Sequence, residues 1–171
     1  NMGSTFAIET VLVDGDETLE MTGLPKESAT DSVKIAVTCI KKMFPELLKG
    51  KYIHVHFGEG SVTKDGPSAG VALFMSIFSA AIEKSLKIKD DYDVAYTGEI
   101  SLTGGVFAVG GVYEKLQAAC DSGCRVVFVP AQNYEHLDKN KLGQYSCEVV
   151  PVTHITQVIE KVFPEYVDLC H

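Results

Sequence analysis

A long apolar run with no polar face limits what this chain can become. From Ala69 to Ile82 the sequence reads "AGVALFMSIFSAAI", and Ser76 and Ser79 are its only hydroxyls. A helix with no polar face has to be enclosed by other elements. A bilayer span needs about 20 predominantly apolar residues, and this run is too short and too rich in small side chains for that. Pro67 suits a first helical turn, where its missing N–H would have had no partner. The pattern therefore predicts a core helix from Pro67 to about Leu86. One hydroxyl, Ser68, stands at the mouth of that helix, behind Asp65-Gly66-Pro67.

The flanking segments supply what would enclose it. Strand-like runs at 5–13 and 17–23 flank Asp14-Gly15-Asp16, a turn signal that predicts a hairpin. Residues 28–44 place Val33, Ala36, Val37 and Ile40 at a helical period. "YIHVHF" (52–57) alternates as a strand does. "DVAYTGEISL" and "VFAVG" read as two strands joined by Thr103-Gly104-Gly105, and "VYEKLQAACDSG" as a helix closed by Gly123. "RVVFVP" and "CEVVPV" read as buried strands, and "ITQVIEKVF" as a closing helix. Short connections between alternating strands and helices predict a single compact α/β domain. The hairpins imply a mixed (α+β) sheet rather than a fully wound parallel one.

The bulk properties narrow the function classes. At 171 residues, 46% hydrophobic and 22% charged, the chain can bury one real core. A net charge of −8 argues against non-specific binding to nucleic acid or to an anionic membrane. The five cysteines, Cys39, Cys120, Cys124, Cys147 and Cys170, have no paired C-x-x-C spacing and read as free thiols of a reducing, cytoplasmic compartment. No signal peptide is expected. Residues 1–4, "NMGS", read as a vector-derived remnant, and 5–171 as a domain excised from a longer protein.

At a helix mouth Ser68 would lie among unpaired backbone N–H groups at the positive end of the dipole. It is either a small residue filling a helix start or a nucleophile, and a serine nucleophile needs a base. None of His54, His56, His136, His154 and His171 lies in a recognisable triad motif, and there is no G-x-S-x-G elbow. Most lysines lie in polar runs. Lys115 instead follows Gly110-Gly111 in the first turn of a helix between apolar segments. Burial and the positive helix end both disfavour its ammonium form, so its pKa should fall and the amine could accept a proton. The alternative is a lysine snorkelling from an amphipathic helix.

Taken together, "HVHFGEGSVTKDGPSAG", "AYTGEISLTGGVFAVGGVYEKLQAA" and "VVFVPAQN" resemble, in order and approximate spacing, the proteolytic domain of Lon proteases. "AIET", with Glu9, fits as well, and the likeness runs from about Thr5 to Val162. It is to the branch with Asp-Gly-Pro before the serine. The resemblance implies that Ser68 is the nucleophile and Lys115, 47 positions later, its general base. This separation is a few residues longer than the family pattern, and the extra length is expected in "EKSLKIKDDYD". Thr97 matches the position whose hydroxyl holds the lysine amine, and the amides around Gly66, Pro67 and Ser68 would receive the oxyanion. His54 and His56 share one strand face and match a His-x-His pair beside the active site. A metal there would need a third ligand, Glu9 or Glu59, and satisfied polar contacts are the expectation. Asp65 matches an aspartate associated with inactive conformations, where it engages the lysine; an Asx-type turn is the alternative.

The resemblance further implies unfolded protein or peptide substrates, a hexameric ring, and a covalently linked AAA+ ATPase domain. No cofactor or metal is expected in this domain; ATP and magnesium would serve only the ATPase. Ala108 stands where the pattern has proline, Tyr113 where lysine is common, and Asp31-Ser32 marks a replaced segment, so the chain reads as a divergent Lon-like member. Two other readings stay open. One is a latent oligomerisation or regulatory module of a larger ATPase, such as a phage-defence machine. The other is a phosphate-binding, small-molecule-kinase-like domain, because "GEGSVTKDGPSAG" is a glycine-bearing loop before a helix. For the latter, Gly105 and Gly110 have Walker spacing, but Gly111-Val112 follow in place of Lys-Ser/Thr.

Overall fold

The computed structural model describes residues 8–23, 25–58, 69–83, 87–88 and 92–166. Its first sheet holds β1 (Ile8–Asp14), β2 (Leu19–Thr22) and, after helix α1 (Glu27–Met43), β3 (Lys51–Phe57). The expected hairpin between β1 and β2 does not form. The strand order is β1-β3-β2, with β3 antiparallel to β1 and parallel to β2. The chain does reverse at Asp14-Gly15-Asp16, but the connection straddles the start of β3. Gly15 N–H donates to Gly50 O (3.0 Å), Gly50 N–H to Glu17 Oε2 (2.8 Å) and Ile53 N–H to Thr18 O (2.9 Å). β3 takes the centre because its inner face, Ile53, Val55 and Phe57, is the most apolar of the three and is buried.

α1 buries the predicted 3.6-residue stripe, Val33, Ala36, Val37 and Ile40, extended by Ala29 one turn earlier, and Pro45 follows its C-cap, Phe44. The apolar run forms α2 (Gly70–Ile82), which has Val71, Leu73, Phe74, Met75, Ile77 and Phe78 fully buried. The helix stops at Ile82, short of the expected Leu86. Glu83 turns left-handed there (φ 56°), and its N–H closes the last turn onto Ala80 O. α2 touches the first sheet through a 2.8 Å hydroxyl pair, Thr10 and Ser76. It meets α1 at Phe44–Phe78, with ring centres 5.2 Å apart.

The second sheet combines β4 (Lys87–Ile88), β5 (Tyr92–Tyr96), β8 (Val126–Pro130) and β9 (Glu148–Val152) in the order β4-β5-β8-β9. β5, β8 and β9 run parallel and β4 pairs antiparallel with β5, which makes the sheet mixed as predicted. "DVAYTGEISL" divides at Thr97-Gly98 into β5 and β6 (Glu99–Ile100), and β6 pairs with β7 (Val106–Phe107) as a small hairpin. Every residue of β8 is buried, because both faces of the sheet are covered. On one face Val94, Tyr96, Val126 and Phe128 join the core built on α2. On the other, Ala95, Val127 and Val129 meet α3 (Val112–Asp121) through Val112, Leu116 and Ala119. Two short helices, α4 (Ala131–Tyr134) and α5 (Lys139–Leu142), were not foreseen. α6 (Ile155–Val162) buries Ile155, Val158, Ile159 and Val162 against the α2 core. Among the described residues no helix is long and apolar enough to cross a membrane.

Candidate active site

Lys115 lies in the first turn of α3, and its own N–H makes an early α-helical bond, to Gly111 O (3.1 Å). Gly111 is the N-cap in a left-handed conformation (φ 68°), a turn that a side chain would strain. The amine is partly buried. That burial pulls its pKa below the ordinary lysine range, against the opposing pull of the neighbouring Glu114 carboxylate. Among the described residues the amine has neither a hydrogen bond nor an ion pair. The expected part-burial of Lys115 and the fall in its pKa are thus both present.

The loop that delivers α3 is clamped from α4. Asn133 accepts from Val109 N–H (3.0 Å) and donates to Val109 O (2.8 Å), and Gln132 accepts from Ala108 N–H (3.0 Å). Gln132 and Asn133 belong to "VVFVPAQN", a segment whose local pattern carries no sign of this task. A proline at 108 would have no N–H to offer Gln132. Tyr113, the other departure from the family pattern, has a structural use as well: its hydroxyl accepts from Asp138 N–H (2.8 Å) and its ring lies under the Lys141 ammonium.

Thr97 continues the β5–β8 ladder, its N–H donating to Phe128 O (3.0 Å). Strand alternation puts its side chain on the side of Ala95, the face that α3 covers. Its hydroxyl is buried and has no hydrogen-bond partner among the described residues. The expected Thr97–Lys115 bond is therefore not formed in this structure. The two groups come from elements packed face to face, but the amine rises from the first turn of α3 and stays part-exposed. An unpaired buried hydroxyl costs about 1–3 kcal/mol, so it marks a place where a partner is wanted.

The start of α2 is fixed next to Thr97, because Val71 N–H donates to Gly98 O (3.1 Å). Gly70 allows this approach: a Cβ there would lie 2.7 Å from Ile100 N and 2.8 Å from Ile100 Cγ2. Ser68, Asp65, Gly66, Pro67 and Glu59 lie outside the described residues.

His54 and His56 do project from one face of β3. A single hydroxyl joins them: Thr22 Oγ1 is 2.9 Å from His54 Nε2 and 2.8 Å from His56 Nδ1. Thr22 was missed at the sequence level, since only the β2–β3 register brings it opposite His56. Glu9 faces His56 from β1 and is exposed. Among the described residues no three His, Cys, Asp or Glu side chains converge as a metal site. No hydrogen bond or ion pair connects the histidine pair to Lys115 or Thr97. His154 has a structural role as the N-cap of α6. Its Nδ1 accepts from Thr156 N–H, and its Nε2 lies 2.8 Å from Thr103 O, to which it donates.

The model of the Lon protease (S16) C-terminal proteolytic domain matches residues 1–165. The chain belongs to that family. It is 40% identical over 149 residues to a Lon protease of Clostridium acetobutylicum, covering 80% of this chain and 18% of the relative. It is 40% identical over 141 residues to a Lon protease of Methanosphaera stadtmanae, covering 80% of this chain and 17% of that protein. A mitochondrial Lon protease homolog of Caenorhabditis briggsae is 36% identical over 175 residues, covering 94% of this chain and 18% of its own length. The chain thus spans under a fifth of these three relatives, and the part it matches is the Lon proteolytic domain. Bacterial, archaeal and mitochondrial proteins are all among its relatives despite the local departures at Ala108 and Tyr113.

Proposed function

We propose that this Lon-type domain is a serine endopeptidase in which Ser68 is the nucleophile and Lys115 its general base. One observation carries the assignment of the base: an amine without an ion pair among the described residues, held below the ordinary lysine range by burial, at the position that the family pattern gives to the base. In its neutral form Lys115 takes the Ser68 hydroxyl proton as the oxygen attacks the scissile carbonyl. The backbone N–H groups of Gly66 and Ser68 receive the oxyanion, since Pro67 between them has none. The protonated amine then gives its proton to the leaving nitrogen, and an acyl-enzyme remains. Lys115, neutral again, removes a proton from water, which attacks the ester and releases the new carboxyl terminus and the serine.

Thr97 is the tether of the base, and its buried, unpaired hydroxyl supports that role. The His54–Thr22–His56 group is a hydrogen-bonded polar support of the first sheet. The chemistry takes no metal from this domain. ATP and magnesium serve a covalently linked AAA+ domain, and unfolded polypeptides are the substrates of a cytoplasmic hexameric ring. Asp65 acts as an off-switch by pairing with the Lys115 ammonium, and Asp65→Ala keeps peptidase activity. An inactive but folded Asp65→Ala protein would remove that role.

A second reading, a latent module, is favoured by one observation: the Thr97–Lys115 bond is absent, and a base without its tether suits a resting state. Hydrolysis of a fluorogenic peptide by wild type, Ser68→Ala and Lys115→Ala separates the two. The peptidase reading expects activity in wild type alone, with a serine-directed covalent inhibitor labelling wild type at Ser68 and not Lys115→Ala. A wild type as inert as both variants leaves the latent module.

A further inference from the structure

A second group of reactive side chains lies at the far end of α3. Cys120, near the helix C-terminus, has its sulfur 2.7 Å from that of Cys147, the residue before β9. Both are free thiols. A bonded pair sits at about 2.05 Å, so little approach is needed to join them. The two differ in access. Cys120 is part-exposed and lines a cavity of about 330 Å³ with Asp121, Lys141 and Tyr145, whereas Cys147 is 6% exposed. The third thiol of the region, Cys124, is 2% exposed and turns into the core under α3, past the helix end.

We infer that Cys120 and Cys147 form a dithiol that a low-molecular-weight disulfide converts into an intramolecular disulfide bond, with Cys120 attacking and Cys147 resolving. The Cys120 thiolate attacks one sulfur of the oxidant and expels the other half as a thiolate, leaving a mixed disulfide on Cys120. Cys147 gives its proton to solvent, attacks the Cys120 sulfur and expels the second half. Two protein thiols are oxidised, one small disulfide is reduced to two small thiols, and two protons balance the account.

Burial and the neighbouring Cys120 hold the Cys147 thiol up at about 12, which suits a residue that waits until Cys120 has been capped. The bond ties the C-terminal end of α3, which also carries Lys115, to the start of β9. The site does not depend on which residues hydrolyse peptides.

The test treats the reduced chain with oxidised glutathione and follows intact mass, peptide mapping and thermal unfolding. Wild type should lose two hydrogens, yield a Cys120–Cys147 linked peptide, and unfold about 4–16 °C higher until reductant is added. Cys147→Ser, or Cys147→Ala if the serine variant is misfolded, should stop at a glutathione adduct on Cys120. Cys124→Ser should still form the bond. A stable adduct on wild-type Cys120, a Cys120–Cys124 link, or no oxidation of wild type would each overturn the inference, and the wild-type readouts need no variant to decide it.

Discussion

Lys115 and Thr97 are two polar groups that the fold leaves in deficit, one of charge solvation and one of a hydrogen bond. The unfolded chain keeps the Lys115 proton up to the ordinary lysine range, whereas the folded domain releases it at lower pH. Between those two points the unfolded state binds more protons, so stability rises with pH across that window, and burial of the amine is unfavourable below it. Lys115→Met should therefore raise stability at neutral pH, measured by denaturant unfolding, while abolishing peptide hydrolysis. In wild type the hydrolysis rate should climb with pH along a limb whose midpoint lies below the ordinary lysine range, because only the neutral amine can act as base. Thr97→Val keeps the shape and removes the unsatisfied hydroxyl. Stability should stay level or rise, and kcat should fall about tenfold, the equivalent of one hydrogen bond. An unchanged kcat and an unchanged pH limb would leave Thr97 a purely structural residue.

At the level of elements, α3 is aimed by what precedes it. The Gly110-Gly111 entry could swing, but Asn133 holds both polar groups of Val109 and Gln132 holds Ala108 N–H. Asn133→Ala leaves the Val109 groups without their protein partner and should cost about 1–2 kcal/mol in denaturant unfolding. Because the loop sets the position of Lys115, kcat for a small peptide should fall with KM little changed. Loss of stability with full kcat would mean that the loop can reposition itself without the clamp. α2 is held at its own start by Val71 N–H on Gly98 O and by the close approach of Gly70 to Ile100. α2 is therefore fixed at the corner where β5 gives way to β6, and the entry to α3 is fixed from α4, directly after β8.

For the molecule as a whole, α2 is the axis on which two sheets and two helices meet, and the second core under α3 closes the other face of the second sheet. The chain corresponds to under a fifth of the Clostridium acetobutylicum, Methanosphaera stadtmanae and Caenorhabditis briggsae relatives. If ATP serves a separate AAA+ domain, as proposed, adding ATP and magnesium to this chain should leave its rate of small-peptide hydrolysis unchanged. Folded protein substrates should stay intact in either case, as read by gel. A rate that rises with ATP and saturates would bring back the phosphate-binding reading of 58–70.

Local pattern was enough where a residue's surroundings depend on its own element. The period of α1, the enclosure of α2, the full burial of β8 and the lowered pKa of the Lys115 amine all follow from apolar spacing and from position along one helix or strand. Motif order likewise pointed to the Lon family before any coordinates. Only the tertiary structure decided what depends on register between distant segments. A turn signal reports that the chain reverses, not which strand fills the gap, so the insertion of β3 between β1 and β2 was hidden. The same holds for Thr22 bridging two imidazoles from another strand, for Asn133 reaching back to Val109, and for two cysteines 27 positions apart meeting sulfur to sulfur. Each contact joins residues whose separation along the chain carries no period, and only packing brings them together.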